Sequence, residues 1–356
     1  MRSHFDVIQK ISYIEDHNCL VSISEDCLIN VWLLDKLNFK NQLSDINPLI
    51  TLRGHSGPLF SLETHNNIIY TAGNEGIIKV WSLPKINSND NIDETSSLHQ
   101  TLQSNHNYSD VEDIFNSNIG YHINTNEVIW DLKHHPTSNI LASLSADGSI
   151  YFYKTGSVED YISALTQENI DKWYLNSIKC IDSSNQYVYP IAGYYLNNNN
   201  NILACGLSNG NISFVDIQNF TVANCTNDSN EFNSLYNQNQ INCINSSIDN
   251  DILFAGYENG SLKCYDFRDK YSNFIPINAH EDAITSISVF NSIYLFTTSH
   301  DTRIKLWDVR DLSEPIQETL GSQKKWDIGI CDSVFLHNEM ALATAGADSV
   351  IKIFKL

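Results

Sequence analysis

The stretch TTSHDTRIKLWD, residues 297–308, crosses a short polar turn and continues into a second strand that contains a tryptophan. The apolar run that leads into it, SIYLFTTS (292–299), is too short for a helix. A tight polar turn between two such runs is typical of a β-hairpin. The sequence therefore predicts paired strands on either side of His300 and Asp301.

The same hairpin pattern occurs seven times along the chain. The second strands end at Trp32, Trp81, Tyr153, Val215, Tyr265, Trp307 and Phe354. The shortest interval, 42 residues between Tyr265 and Trp307, matches a WD repeat of roughly 40 to 45 residues. Strands covered on both faces by neighbouring sheets explain the near-continuous apolar runs. We predict an all-β fold, a seven-bladed β-propeller of WD40 repeats that forms a single domain.

Irregular spacing between the hairpins indicates insertions. Residues 84–124 are rich in Asn, Ser, Asp and Gln without a sustained period, which predicts an inter-blade insertion whose role the sequence leaves open. Within it, residues 98–102 are a candidate outer strand, and a short helix is a candidate between residues 155 and 187. The predicted blades span approximately residues 1–48, 49–103, 122–160, 175–222, 238–275, 276–318 and 319–356 of the 356-residue chain.

Composition narrows the class of partner and the cell compartment. Lys and Arg number 21 against 42 Asp and Glu, so the formal charge is -21 and phosphate backbones are repelled. The eight cysteines form no Cys-x-x-Cys pair, which favours reduced thiols. No apolar run approaches the roughly 18 residues of a membrane span, and the N-terminus lacks the core of a signal peptide. We expect a cytoplasmic protein that does not bind nucleic acid and has no membrane span.

Four residue types recur at fixed spacing in the best-formed repeats. An acid follows a small hydroxyl residue by four positions, a tryptophan follows the acid by six, and a histidine precedes the hydroxyl residue by 16 to 18. Here the chain resembles the WD-repeat family, whose motif implies a hydrogen-bonded tetrad of these side chains. The sets are His4, Ser22, Asp26 and Trp32; His55, Thr71, Glu75 and Trp81; and His280, Thr297, Asp301 and Trp307.

The tetrads are predicted to be structural. Buried indole, hydroxyl and imidazole groups each cost a few kcal/mol unless they are paired. A set repeated in several blades does not describe one active site, and Ser299, His300 and Asp301 cannot form a triad because neighbouring strand residues point to opposite faces. Phosphate-binding loops, nucleophile elbows and zinc spacings do not occur in the sequence. We predict a protein that is not an enzyme and has no cofactor and no metal.

Other repeats depart from the motif. Blade three has Thr125, Ser143, Asp147 and Tyr153, and blade seven has Ser322, Thr344, Asp348 and Phe354. Blades four and five keep little of it, with Cys205, Asn209 and Val215 and with Ala255, Asn259 and Tyr265. Those two blades are expected to depend on apolar packing.

A closer resemblance covers five of the seven blades. SQKKWDIGICDSVFLHNEMALATAGADSVIKIF (322–354) is similar to the last blade of the striatin family, and segments of blades one, two, three and six resemble that family in the same order. The resemblance implies a C-terminal propeller on a scaffold whose upstream coiled coil joins a serine/threonine phosphatase to kinases and adaptors. The present sequence contains no heptad segment for such a coil, so phosphatase recruitment is implied by the family alone.

The predicted function is a protein–protein interaction scaffold whose oligomeric state and partner the sequence leaves open. Loops on one face of a propeller disc supply the contacts, and Trp326 beside two lysines suits an interface anchor. One alternative is a substrate receptor of a ubiquitin ligase, because LWDVR (306–310) and CYDFR (264–268) resemble a W-D-x-R box. The candidate contact residues are Asp6, Glu25, Asn74, Glu127, Glu258, Asp282, His300, Lys324, Lys325 and Trp326.

The ends of the sequence raise a separate expectation. The chain stops at the third strand of blade seven, and three residues precede His4, so neither end is expected to supply the strand that closes the ring. A version with about ten more native residues before Met1 is expected to melt at a higher temperature.

Overall fold

Each predicted hairpin forms the second and third strands of an antiparallel sheet in the computed structural model. The innermost strand precedes the hairpin, and an outer strand follows it in six of the seven sheets. For residues 119–124 and 272–273 only the backbone is described. The structure describes residues 1–34, 46–83, 119–124, 127–156, 173–180, 187–196, 199, 201–226, 239–247, 252–266, 272–273 and 276–355.

The first three sheets hold twelve strands. Blade one contains β1 (Ile8–Ile14), β2 (Cys19–Ser24), β3 (Ile29–Leu33) and β4 (Ile50–Leu52). Blade two contains β5 (Leu59–His65), β6 (Ile68–Gly73), β7 (Ile77–Ser82) and β8 (Ile119–Asn124). Blade three contains β9 (Ile129–His134), β10 (Ile140–Ser145), β11 (Ser149–Lys154) and β12 (Tyr174–Lys179).

The remaining four sheets complete the set. Blade four contains β13 (Pro190–Tyr195), β14 (Ile202–Leu207), β15 (Ile212–Asp216) and β16 (Thr221–Cys225). Blade five contains β17 (Ile241–Ser246), β18 (Ile252–Tyr257), β19 (Ser261–Asp266), β20 (Ser272–Asn273) and β21 (Ile277–Asn278). Blade six contains β22 (Ile284–Phe290), β23 (Tyr294–Ser299), β24 (Arg303–Asp308) and β25 (Gln317–Leu320), and blade seven contains β26 (Ile330–Leu336), β27 (Ala341–Gly346) and β28 (Ile351–Lys355).

The innermost strands contact one another in order and close a ring. Strand β1 meets β5, the contacts continue from blade to blade as far as β26, and β26 meets β1. Seven apolar clusters fill the spaces between successive blades, so each blade buries one face against each neighbour. The predicted all-β, seven-bladed propeller of WD40 repeats is confirmed.

One part of the predicted insertion has a defined strand. Residues 119–124 form β8 and pair antiparallel with β7, with Ile77 opposite Asn124, so the insertion does not extend to residue 124. The candidate outer strand at residues 98–102 lies outside the described residues, as does most of the candidate helix. Residues 174–179, within the range of that helix, form strand β12, so the prediction of a helix is wrong for them. The other blade limits remain predictions.

The N-terminus lies against the edge of blade seven. The Met1 amino group donates a hydrogen bond to the carbonyl of Ile351, and the Ile351 N–H donates to the Met1 carbonyl, both at 3.1 Å. Arg2 forms an antiparallel bridge with Val350. The described residues of blade seven still form a sheet of three strands, so the expectation that neither end supplies the closing strand remains a prediction.

None of the helical residues that the structure describes belongs to a helix long and apolar enough to span a membrane.

Candidate functional site

In blade six, the side chains of one predicted tetrad lie in a continuous hydrogen-bonded chain. The Trp307 Nε1–H donates to Thr297 Oγ1 at 2.9 Å, and His280 Nε2 lies 2.8 Å from the same hydroxyl. His280 Nδ1 lies 2.8 Å from Asp301 Oδ2. Because the carboxylate only accepts, Nδ1 carries a proton, and in the neutral ring Nε2 accepts the proton of the hydroxyl.

Blades one and two repeat this arrangement. Trp32 donates to Ser22 at 2.9 Å, and His4 lies 2.8 Å from Ser22 Oγ and 3.0 Å from Asp26. In blade two, Trp81 donates to Thr71 at 2.8 Å, Thr71 lies 2.7 Å from His55, and His55 contacts Glu75. The tryptophan, histidine and hydroxyl residues of these sets are buried.

The carboxylates of the tetrads are held in their charged form. Burial favours the neutral acid of Asp301, but hydrogen bonds from His280 and from backbone N–H groups outweigh it and lower the pKa to about 2. The pKa of Glu75 is also lowered to about 2 against the effect of burial, by hydrogen bonds from Ser56 and His55. Each carboxylate thus anchors one end of its hydrogen-bonded chain.

The Ser-His-Asp sequence at residues 299–301 is divided among different contacts. Ser299 Oγ donates to the carbonyl of Asp282 at 3.0 Å and accepts from the Asp301 N–H at 3.0 Å. The Asp301 carboxylate contacts His280, while burial lowers the pKa of His300. Ser299 thus ties the turn to the preceding loop, and its hydroxyl proton is directed away from His300.

Blade five replaces the tetrad with a different polar contact. The hydroxyls of Tyr257 and Tyr265 lie 2.7 Å apart, and Tyr257 donates to the carbonyl of Gly210 at 3.2 Å. Tyr265 occupies the position of the tryptophan. Blade five thus combines the expected apolar packing, in which Ala255 and Tyr265 take part, with a hydroxyl contact that the sequence did not predict. In blade four, Cys205 and Val215 are fully buried within an apolar cluster.

The candidate contact residues share one side of the ring, which we call the upper face. It consists of the loops before the innermost strands and the turns between the second and third strands. Backbone hydrogen bonds join these two kinds of segment, for example from Glu25 to Val7 and from Glu258 to Gln240, both at 3.0 Å. The loops carry Asp6, Glu127, Asp282, Lys324, Lys325 and Trp326, and the turns carry Glu25, Asn74, Glu258 and His300.

Blades six, seven and one bring five of these residues together. Lys324 Nζ lies 3.2 Å from Asp282, and Lys325 Nζ lies 3.0 Å from Asp6. The lysines therefore pair with both flanking blades, and Trp326 follows them with 85% of its surface exposed. Asn74, Glu127 and Glu258 are exposed on other blades, and Gln9 donates to Glu25 at 2.7 Å.

Trp326 occupies the tip of a strained turn. Lys325 and Ile328 exchange backbone hydrogen bonds of 2.9 and 3.0 Å, which leaves Trp326 and Asp327 as a two-residue tip. Both residues have positive φ, 55° and 65°, as in a type I′ turn. Glycine or asparagine normally fills such positions, and a bulky residue there is a conformational outlier.

A central channel contains charges that the sequence analysis did not single out. Lys10 contacts Asp131, and Lys133 lies 3.6 Å from Glu63 and 3.8 Å from Asp131. Burial raises the pKa of Glu63, whereas for Asp131 the effect of burial is outweighed by Lys10 and Lys133, which lower its pKa. These residues lie on the innermost strands of blades one, two and three and border a cavity of about 260 Å³.

Every innermost strand carries a one-residue irregularity near its first residue, where the central channel opens at the upper face; we call this opening the channel mouth. The register with the second strand skips one residue in all seven blades, as at a β-bulge. Aligning the repeats on the start of this strand would reveal the position, which apolar periodicity alone does not mark. The skipped residues are Gln9, Phe60, Trp130, Ile191, Asn242, Thr285 and Cys331.

Of the two segments that suggested the ligase-receptor alternative, the structure describes one completely and the other only in part. In LWDVR, the exposed Arg310 side chain forms two hydrogen bonds, of 2.9 and 2.6 Å, with Asp308, the last residue of β24. The arginine of CYDFR lies outside the described residues. The alternative remains a prediction.

In comparisons with known proteins, the sequence is similar to a repeat-family model and to members of the striatin family. The family model described as WD domain, G-beta repeat, matches residues 46–82, 117–154, 231–266 and 273–308. Striatin-3 of Mus musculus is 26% identical over 363 residues, and the striatin homolog of Dictyostelium discoideum is 27% identical over 368. These alignments include 99% of this chain, which spans 40% of the length of each relative.

A solved structure supports the fold. The computationally designed Ika8 protein has a TM-score of 0.58 and 15% identity, and the match includes 98% of this chain and 83% of the designed one. The predicted resemblance to the striatin family is confirmed, and the repeats together with these relatives support a protein-interaction scaffold.

Proposed function

We propose that this chain, a striatin-like propeller of WD40 repeats, is a non-catalytic scaffold that binds other proteins through its upper face. The observation that carries the proposal is Trp326, an exposed tryptophan with positive φ at the tip of a two-residue turn. A side chain in this conformation costs on the order of 1 kcal/mol. Backbone strain of this kind is commonly found at binding sites.

The surroundings of Trp326 suit a binding anchor. The Lys324–Asp282 and Lys325–Asp6 pairs link its loop to the loops of blades six and one, which limits the conformational entropy that binding would cost. Phe5 lies beside Asp6 and is 84% exposed. Aromatic side chains on a prearranged loop are typical of interface hot spots.

The partner set is proposed from the resemblance. Striatin-family scaffolds join a serine/threonine phosphatase to kinases and adaptors, and we propose that this chain belongs to such a signalling complex in the cytoplasm. The net charge of -21 favours partners with basic surfaces.

Replacing Trp326 with glycine tests the proposal. Trp326→Gly relieves the positive φ, so we expect the free energy of unfolding to rise by about 1 kcal/mol. In a quantitative pull-down from cell extract, we expect the same variant to lose the proteins that the wild type retains.

Ile316→Ala is the matched control, because Ile316 is a large apolar side chain that is 56% exposed in the loop between β24 and β25, at the opposite end of blade six from the upper face. It should retain the wild-type set of proteins. If Trp326→Gly recovers that set undiminished, the proposed contact face is wrong.

A further inference from the structure

A second apolar site lies on the upper face, away from Trp326, where blades three, four and five meet. It is a cavity of about 390 Å³ lined by Trp130, Ala146, Tyr189, Ile191, Ser208 and Gln240. Trp130 is 39% exposed and Tyr189 48% exposed. The cavity thus presents two aromatic side chains to the solvent.

The irregular innermost strands account for this site. Phe60, Trp130 and Ile191 are the skipped residues of blades two, three and four, so their side chains leave the regular alternation at the channel mouth. The Phe60 and Trp130 rings stack with centroids 5.7 Å apart. In blades five, six and one the equivalent residues are polar, namely Asn242, Thr285 and Gln9. In blade seven the equivalent residue is the small thiol Cys331. The large apolar side chains among the skipped residues are therefore those of blades two to four.

Acidic residues adjoin this cavity on two sides. The Ala146 N–H donates to the carbonyl of Val128 at 2.8 Å, which joins the segment of Glu127 to the turn that carries Asp147. On the blade-five side, the N–H of Glu258 donates to the carbonyl of Gln240 at 3.0 Å. Glu127, Asp147 and Glu258 are all exposed, so the surface beside the cavity is negative, as is the chain as a whole. Basic groups are therefore favoured beside the aromatic cavity.

Polar groups in the cavity wall suit a polypeptide. Ser208 and Gln240 line the cavity. The Ser208 hydroxyl accepts from the Tyr189 N–H at 3.1 Å and Gln240 Nε2 donates to Asn242 at 3.0 Å, so the Ser208 proton can still be donated, and the Gln240 amide oxygen can still accept, in a contact with the backbone of an extended segment. An aromatic cavity with a few polar groups is the usual form of a pocket that takes one apolar side chain.

We propose that this cavity is a second docking point, which binds a protein segment with one apolar side chain flanked by Lys or Arg. The apolar side chain enters between Trp130 and Tyr189, and the basic residues meet Glu127, Asp147 and Glu258. The inference rests on the proposed scaffold function and adds the chemistry of a partner. Since the two sites use different blades, each can be removed without the other.

Selection from a displayed library of random short peptides tests this inference. We expect selection on the wild type to enrich peptides in which an apolar residue lies next to Lys or Arg. The most enriched peptide, synthesised with a fluorophore, should bind about tenfold more weakly by anisotropy to Tyr189→Ser. The Glu127→Lys, Glu258→Lys double variant should weaken binding by a similar factor. Both changes replace exposed side chains, and melting curves verify that the variants fold.

Trp326→Gly is the matched control and should bind this peptide as the wild type does. Enrichment of acidic peptides, or unchanged affinity for Tyr189→Ser, would overturn the inference. If affinity falls for Trp326→Gly alone, the second site fails while the proposed contact face stands. If the Tyr189 variant loses the peptide while Trp326→Gly keeps all partners in the pull-down, the cavity stands and the Trp326 face fails.

Discussion

At the scale of single residues, the hydroxyl, imidazole and carboxylate groups of a tetrad could suggest catalysis, but in this protein they maintain the fold. Thr297 is the middle of its chain, because its hydroxyl serves both the Trp307 indole and the His280 ring. Buried groups that lose their partner cost more free energy than the hydrogen bond itself contributed. The hydroxyl is therefore the most sensitive position of the tetrad.

Replacing Thr297 with valine preserves its shape and removes the hydroxyl. We expect Thr297→Val to lower the free energy of unfolding by about 2 kcal/mol, because the indole N–H and the imidazole both lose a partner. Denaturant unfolding measures the change. Thr297→Ser is the control and should lie near the wild type; if both variants are equally destabilised, the loss comes from packing and not from the hydrogen bonds.

The residues of the tetrads could be predicted because the three spacings that separate the four side chains recur together in three blades. The Tyr257–Tyr265 contact could not, since Tyr257 lies outside the motif positions and the strand register places Leu253, not Tyr257, opposite Tyr265. The exposed position of Trp130 could not be predicted either, because it depends on the residue that the strand register skips. A single skipped residue hardly alters an apolar pattern, yet it decides whether a side chain enters the core or the channel mouth.

At the scale of strands, the irregular innermost strands require close approach of neighbouring backbones. In blade two, Gly73 ends β6 opposite Leu59, just before the residue that the register skips. A Cβ atom on Gly73 would meet the carbonyl oxygen of Pro58 and lie 2.8 Å from the Cα of Leu59. Backbone atoms cannot rotate away as a flexible side chain can, so glycine is required there.

Gly73→Ala should therefore destabilise the protein by about 2 kcal/mol or more. Gly57→Ala is the matched control, because the nearest atom to its added methyl group would be Asn74 Cβ at 3.7 Å. Thermal and denaturant unfolding of both variants check this expectation. Equal stability of the two would show that β5 and β6 can separate without cost.

Strand positions were predictable wherever a hairpin repeats, and less so for the fourth strands. The hairpin strands carry the apolar pattern, whereas an outer strand such as β16 is largely exposed and mixes polar with apolar residues. Strand β8 follows a long polar segment, so nothing in its own sequence marks the blade to which it belongs. Its place in blade two depends on pairing with β7.

At the scale of the whole molecule, the channel charges connect blades that do not touch side by side. Lys10 of blade one contacts Asp131 of blade three, and the Gly193 N–H of blade four donates to the same carboxylate at 3.0 Å. Deep ion pairs of this kind cost much free energy when one partner is removed, even where the pair itself adds little.

We expect Lys10→Met to lower the free energy of unfolding by about 3 kcal/mol, because Asp131 loses a compensating charge. The double variant Lys10→Met, Asp131→Asn should recover part of that loss, and a double-mutant cycle measures the coupling. Lys352→Met removes a lysine that lies 3.1 Å from Asp348 near the surface and should change stability by less than about 1 kcal/mol. Additive effects of Lys10→Met and Asp131→Asn would contradict a specific link across the channel.

The apolar clusters between blades affect how the protein would respond to cleavage of its backbone. Every blade is held from two sides, and the last is joined to the first, so the path of the polypeptide is only one of the ties between neighbours. After a protease cut in a single surface loop, the contacts between blades would still hold both fragments together. The fragments would separate only if a second interface between blades, elsewhere in the ring, were also lost.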